Sequence, residues 1–391
     1  MSTKKMVWAV MALAIVLAAC APAATAVAPI VETVAPIVQT VVVPATPGPT
    51  PTANPMDALI AACKQEGAVT LIADPRDWAN YGTLIDTFGS RYGVSVGDLN
   101  PTGSSQEELD AIKANEGNKG PQAPDTVDIG YTLANSAKSG GLLAPYKVAG
   151  WNDIPIKDPD GYWWEEYYGV MTFEVNAKLV KDVPQDWSDL LKPEYKGMVA
   201  LAGNPTGSNQ AIMAVYAAAL ANGGSLDNAQ PGLDFFAKLN KAGNFVPVIA
   251  HAASLAQGET PIVLRWDYLG LADRDTLAGN PPVTVVVPKS ATIAGPYVAG
   301  ISAYAPHPNC AKLWQEFLFS DEGQVDWLRG YVHPARFASL ISRNVVAADV
   351  LSNMPSAAAY SVAVIPSLDQ ITTASSLITK GWDSAVGVTV K

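Results

Sequence analysis

The stretch from Met198 to Leu220 restricts the possible folds more than any other: a short apolar run, a turn of small polar residues and an alanine-rich run, in that order. Met198 to Ala202 has the length and composition of a buried strand, and Gln210 to Leu220 those of a helix. Gly203 to Asn209 is therefore the turn between them, and a strand that feeds a helix through a tight turn belongs to an α/β architecture. The turn itself is chemically suggestive. Gly203 and Gly207 allow close approach of a guest to the backbone, Asn204 adds an amide, and Thr206, Ser208 and Asn209 are all good helix N-caps beside amides that attract negative charge. This is a candidate pocket floor for an oxyanion; the alternative is that Ser208 only caps its own helix.

The N-terminus decides the compartment. Lys4 and Lys5 precede an apolar stretch, Met6 to Leu17, that is short for a membrane span and ends in Leu17-Ala18-Ala19-Cys20. It resembles the lipobox of bacterial lipoproteins, which implies a signal peptide over residues 1–19 and a lipid on Cys20; the alternative is an uncleaved anchor helix. In both cases the body of the protein lies outside the cytoplasm, at the cell surface or in the periplasm, tied to a membrane. Residues 20–55 then carry almost no charge and six prolines between Pro29 and Pro51, with Ala28-Pro29-Ile30-Val31-Glu32-Thr33-Val34 repeated as Ala35-Pro36-Ile37-Val38-Gln39-Thr40-Val41. Prolines at that density oppose helix and sheet interiors, so this segment is expected to be an extended tether of roughly 3 Å per residue.

The remainder is long for one core and suits two lobes. The net charge of −11 becomes −13 once Lys4 and Lys5 are removed, which disfavours nucleic acid as a partner. With Cys20 lipidated, only Cys63 and Cys310 are left. That is neither a metal cluster nor a disulfide scaffold, and their apolar helical surroundings favour two buried free thiols over one bridge. No metal and no cofactor are expected.

Along the body, Met56–Glu66 reads as a helix, Ala68–Ala73 as a strand, and Asp74 to Gly82 as the loop that follows, with Asp74, Arg76, Trp78 and Tyr81 as candidate contacts at a strand end. A second polar helix entrance comes at Thr102 to Leu109. There Ser105 and Glu108 fit a capping box, so Ser104 and Ser105 are caps or ligand contacts. Tyr131 follows the strand Thr126–Tyr131. Residues 161–176 are the most aromatic part of the chain, and alternation places Trp163, Glu165 and Tyr167 on one face and Trp164, Glu166 and Tyr168 on the other. A strand at Ile262–Leu264 runs into Arg265-Trp266-Asp267-Tyr268, where the dull reading is a surface ion pair of Arg265 with Asp267. Val283–Val287 is a strand, Gly295–Gly300 a turn into another, and Asn309–Ser320 an amphipathic helix. The rest reads as helices and loops without obvious chemistry.

Asp186-Trp187-Ser188-Asp189-Leu190 with Tyr195-Lys196-Gly197, Gly258-Glu259-Thr260-Pro261-Ile262, Ala305-Pro306-His307-Pro308-Asn309-Cys310-Ala311, Ser320-Asp321-Glu322-Gly323-Gln324 and Pro334-Ala335-Arg336 occur in an order and spacing that resembles the bacterial extracellular solute-binding proteins of ABC importers. The group includes ferric-ion, polyamine, thiamine and aminoethylphosphonate binders. The resemblance covers most of residues 66–337. It implies a type II periplasmic-binding-protein fold: two mixed sheets flanked by helices, with hinge strands, closing on a solute. On that pattern residues 56–170 plus about 298–337 form the first lobe, 171–297 the second, and 338–391 are helices packed on both. It also implies site positions at Asp74–Tyr81, Ser104–Ser105, Thr206–Asn209 and Trp266–Tyr268. Iron binders of this group carry an adjacent tyrosine pair at the last position. This chain has Trp266-Asp267-Tyr268 there, which speaks against ferric iron, while Tyr167-Tyr168 and Tyr268 keep it as an alternative.

Two polar helix entrances suit an acid group, and Asp267, Glu165 and Glu166 beside aromatic rings suit an amine, so the reading is a small zwitterionic or amine-bearing solute handed by a monomeric protein to an ABC permease. An extracytoplasmic hydrolase is the rival. The three histidines, His251, His307 and His333, show no spacing that forms a nucleophile–base or metal motif.

Overall fold

The computed structural model describes residues 54–354 and 358–391, so the lipobox and all but the end of the tether lie outside it. The first helix, Pro55–Glu66, begins one residue earlier than its periodicity predicts, because the Asn54 side chain accepts from Met56 N–H and Pro55 fits the first turn. Twelve strands follow in chain order: β1 (Ala68–Ile72), β2 (Ser95–Leu99), β3 (Thr126–Gly130), β4 (Leu143–Ala144), β5 (Trp164–Asn176), β6 (Val199–Leu201), β7 (Phe245–Ile249), β8 (Ile262–Trp266), β9 (Val283–Val286), β10 (Thr292–Ser302), β11 (His333–Pro334) and β12 (Ala363–Val364). Residues 53–391 make one compact unit.

β1 and β2 pair in parallel by themselves; the other ten strands share one mixed sheet with the path β12-β10-β5-β8-β6-β7. β5 organises it. Its residues up to Val170 pair antiparallel with β10, and its residues from Met171 onward pair with β8 and β9. β10 in turn carries β3 and β4 on its other edge. The aromatic run and the strand predicted after it are thus a single thirteen-residue strand joining two sets of strands. β10 likewise passes straight through Gly295-Pro296, where the sequence suggested a turn.

The unit built from Met198 onward appears as expected: β6, a turn, then the helix Asn209–Ala221, whose first ten residues except Asn209 are buried. β6 lies parallel between β7 and β8, buried on both faces, which explains its unbroken apolar composition. One expectation is corrected, and one alternative is ruled out. Cys63 and Cys310 form a disulfide with Cα atoms 4.4 Å apart, joining the first helix to the helix Pro308–Leu318. The same apolar helical setting that suggested free thiols presses the two helices together. Arg265 is no surface partner of Asp267: it is buried and bonds Glu174 at 3.0 Å and Asp273 at 2.5 Å.

Candidate functional site

Two helix N-termini come together at one cavity of about 310 Å³. The helix Ser105–Ala114 contributes Ser105 and Gln106, and the helix Asn209–Ala221 contributes Asn209 and Ile212, with Thr206 and Gly207 from the turn before it. Thr132 and Leu133 lie beside them. The remaining wall is the C-terminal helix Leu368–Val386, through Thr372, Ser375, Ser376, Thr379 and Lys380. No carboxylate lines this cavity, while hydroxyls, amides and one lysine do.

The expected polar residues of the two entrances divide between caps and cavity. Ser104, not Ser105, closes the capping box, with Glu107 rather than Glu108, because the helix starts at Ser105. Ser105 Oγ accepts from Gly130 N–H at 3.0 Å. Ser208 Oγ accepts from Ala211 N–H and caps its helix. Asn204 Oδ1 accepts from the N–H and hydroxyl of Thr206, which folds the turn around Gly207.

Behind Asn209 lies a chamber of buried aromatic rings and carboxylates, with Trp78 at its edge only partly buried. Tyr167 donates to Asp128 Oδ2 at 2.5 Å, Tyr81 donates to the same oxygen at 3.0 Å, and Trp78 Nε1–H donates to Tyr167 Oη at 2.9 Å. Asp74, Glu108 and Glu166 stand around Asp128, all buried. Glu166 shares a hydrogen bond with Asp128. A β-bulge explains how neighbours in sequence reach one acid: Tyr297 pairs with Tyr167 but Val298 pairs with Glu165, so Glu166 is the extra residue and strict alternation fails there. Burial, chiefly, pushes the Asp128 carboxyl up to about 6, against hydrogen bonds from Tyr167, Glu166 and Tyr81 that pull it down. Burial and then repulsion from Asp128 raise Asp74, Glu108 and Glu166 well above the usual carboxylate range.

The 266–268 corner closes the chamber from the other side. Tyr268 packs against Trp78 with ring centroids 5.4 Å apart and against Tyr167 at 6.1 Å. Gly169 is needed for this, because a Cβ there would lie 2.5 Å from the Tyr268 ring. Trp266 Nε1 approaches Tyr297 Oη at 3.4 Å, and the Asn209 side chain hydrogen-bonds the same hydroxyl. Asp267 points elsewhere. It accepts from Val170 N–H at 2.8 Å and from Tyr360 Oη–H at 2.7 Å, with His333 at 3.4 Å, so its carboxylate is held by the fold. Arg76 is exposed and paired with Asp86, away from the chamber, and Tyr131 packs on Trp163. Glu165, buried on the strand, is pushed up to about 7 by burial.

Sequence reasoning missed Asp128, Glu108, Tyr297 and the whole C-terminal wall. For that wall a signal existed: Thr372, Ser375, Ser376 and Thr379 recur at helical spacing, on the flank of the buried stripe Ile371, Ala374, Ile378 and Trp382. Among the described residues no group of three or more His, Cys, Asp or Glu is placed to hold a metal ion.

Residues 125–364 match the family described as bacterial extracellular solute-binding protein. An uncharacterized protein of Haemophilus influenzae is 31% identical, over 63% of this chain and 72% of that protein. Among solved structures, the periplasmic binding protein AfuA of Actinobacillus pleuropneumoniae, with exogenous fructose-6-phosphate bound, has a TM-score of 0.64 at 21% identity, covering 82% of this chain and 98% of that one. Iron-bound HitA of Pseudomonas aeruginosa has a TM-score of 0.62 at 18% identity, covering 82% and 99%. AgtB of A. tumefacien R10, in complex with agropinic acid, has a TM-score of 0.64 at 13% identity, again covering 82% and 99%. At these identities the structural likeness establishes the fold alone.

Proposed function

Since the chain belongs to the bacterial extracellular solute-binding proteins, we propose that it captures a small zwitterionic solute in the cavity between its two facing helix N-termini and hands it to an ABC permease. The observation that carries this reading is the composition of the cavity. It is acid-free, fringed by hydroxyls, met by the starts of the helices Ser105–Ala114 and Asn209–Ala221, and has Lys380 on its rim. Unpaired amides, two helix dipoles and a lysine favour an anionic group such as a carboxylate, phosphate or phosphonate. That AfuA is seen with a sugar phosphate and AgtB with agropinic acid is in keeping with such a guest on this fold. The amine half of the solute is assigned to the acidic, aromatic side of the same region.

Capture on this reading is a closure. β5 and β10 are the strands shared by the two sets of the sheet, and a solute touching Ser105 on one side and Thr206 to Asn209 on the other stabilises the closed arrangement. The tether and Cys20 would hold this body at the membrane as a lipoprotein, in reach of the permease.

Native mass spectrometry of the untagged, gently purified protein tests the solute. A bound species carrying an acid group is expected; a retained solute that is purely cationic or apolar would refute the anionic assignment. For the anchor, Cys20→Ala is expected to move the protein from the membrane fraction to the soluble one, and an unchanged distribution would refute lipidation.

A further inference from the structure

The chamber behind Asn209 has a feature that packing does not require. Asp74, Glu108, Asp128 and Glu166 are brought together out of water, and among the described residues none of the four is paired with a lysine, arginine or histidine. Buried carboxylates are normally paired or fully hydrogen-bonded. Here the hydroxyl of the fully buried Tyr268 has no hydrogen-bond partner, and Asp128 Oδ1 accepts from no N–H or hydroxyl group, with only the Glu166 carboxyl beside that side chain. Around them stand aromatic faces. Tyr167 is stacked on Tyr297 at 5.6 Å, and Trp78 meets Tyr268 edge-on.

We propose that the Asp128–Tyr167 pair behind Trp78 is the recognition point for a protonated primary amine carried by the solute, and that the Trp78 indole N–H is its internal stand-in. This rests on the reading that the adjoining cavity takes the solute's acid group, since the Asn209 side chain both lines that cavity and bonds Tyr297 in the chamber wall. Three observations fix the chemistry. An N–H donor, Trp78 Nε1, already reaches Tyr167 Oη, which in turn donates a hydrogen bond to Asp128 Oδ2. An ammonium group offers three such donors, enough for Tyr167, the open Asp128 Oδ1 and the open Tyr268 oxygen. The faces of Tyr167 and Tyr268, which stay in place when Trp78 moves, favour an organic cation through their ring quadrupoles. A metal ion would instead need a convergent set of ligands, which the described residues lack.

Trp78 is well suited to give way. It sits, only partly buried, on the loop between β1 and the helix Tyr81–Tyr92, and apart from Asp74 on the same loop the groups around Asp128 come from strands and helices. Its displacement exposes the pair without unfolding any element.

The assignment has a consequence for protons. The titratable groups facing Asp128 are Asp74 from the β1 end, Tyr81 from its helix, Glu108 from the helix Ser105–Ala114, Glu166 and Tyr167 from β5, Tyr268 from the helix Asp267–Leu277 and Tyr297 from β10. All are acids, and with Asp128 itself held near 6 the unliganded chamber is largely protonated at mildly acidic pH. An ammonium group favours the ionised carboxylate, so binding expels protons, and affinity rises with pH through about 6.

Calorimetry with three probes, aminoethylphosphonate, ethylphosphonate and ethylammonium, tests this on the full mature protein. Aminoethylphosphonate is expected to bind at least about tenfold more tightly than ethylphosphonate, a ratio that Asp128→Asn brings close to one. Titrations near pH 6 in buffers of different ionisation enthalpy are expected to show proton release for aminoethylphosphonate and not for ethylphosphonate. If Asp128→Asn does not fold, Trp78→Phe replaces it: loss of the indole donor is expected to raise affinity for aminoethylphosphonate alone. Equal binding of both phosphonates, or a ratio untouched by these variants, overturns the amine site while the anionic cavity stands. Failure of both phosphonates to bind overturns the cavity reading and this one together.

Discussion

The side chain of Asn209 fills the space that a Cβ on Gly130 would need, with its Cγ 2.7 Å from that position. Gly130 ends β3 and Asn209 starts the helix that follows β6, so two distant parts of the chain meet backbone to side chain at the edge of the cavity. Gly130 has a φ of −56°, which alanine adopts without strain, so any effect of substitution is steric. Gly130→Ala is therefore expected to hold these parts apart and weaken solute binding by about tenfold or more. Equilibrium dialysis with the co-purified solute measures this, and circular dichroism should show an unchanged fold.

Much of this arrangement is readable in the residues. The strand–turn–helix around Gly203 to Asn209 is visible because β6 is buried on both faces and its helix is alanine-rich; both signals are local. The chamber is not local. Asp128 lies in the short strand Thr126–Gly130, where an acid between valine and isoleucine looks like an ordinary solvent-facing position, and only pairing with β10 buries it. Alternation puts Glu166 and Tyr167 on opposite faces, and a bulge defined by β10 overrides that rule. Asp267 reads as a ligand group because it follows a buried strand directly, but its partners Tyr360 and His333 lie far along the chain.

Stability should fall as pH rises, in contrast to proteins held by ionised carboxylates. Asp128 has a folded value near 6, above that of an unfolded aspartate, so the folded chain binds more protons in that interval. Its contribution is fully present below the unfolded value and is lost as pH climbs through about 6. Asp74, Glu108 and Glu166 act in the same direction. Melting temperature is expected to be higher at about pH 5 than at about pH 8, and Asp128→Asn should shrink that difference. A flat profile would show that the chamber is not sealed from water.

The Cys63–Cys310 bridge spans 247 residues of sequence and fixes the first helix to the helix Pro308–Leu318, where Glu66 also accepts from the N–H groups of Asn309 and Cys310. A cross-link closing so long a loop restricts the unfolded chain strongly. Replacing both cysteines by alanine is expected to lower stability by about 2–5 kcal/mol, read as a shift in urea midpoint. Solute affinity should be unchanged, since the bridge lies in neither the cavity nor the chamber.

Arg265 holds Glu174 and Asp273 together in the interior. Even with that cation in contact, burial keeps the Glu174 carboxyl up at about 7. Arg265→Met leaves Glu174 without a counter-charge and is expected to destabilise by about 3–5 kcal/mol at alkaline pH. The loss should be smaller at about pH 5, where Glu174 is protonated and carries no charge to strand. Urea unfolding at the two pH values separates this from a simple packing defect, which would not depend on pH.

Lys380 tests the cavity without touching its construction. It lies on the exposed side of the C-terminal helix, in a helix held by Trp382 against Phe236 and Phe245, and it is the sole ionisable side chain among those lining the cavity. Lys380→Glu leaves the packing stripe intact, so melting temperature should move by no more than about a degree or two. At the rim of a cavity met by two helix N-termini, a reversed charge acts on any anionic guest over a few ångströms of partly excluded water. Affinity for the co-purified solute is expected to fall by about tenfold at low ionic strength, and by less at high salt as screening sets in. Lys380→Gln should lie between the two. A loss that is the same at all salt concentrations would mean that Lys380 acts by shape, and the acid group of the solute would have to be sought elsewhere.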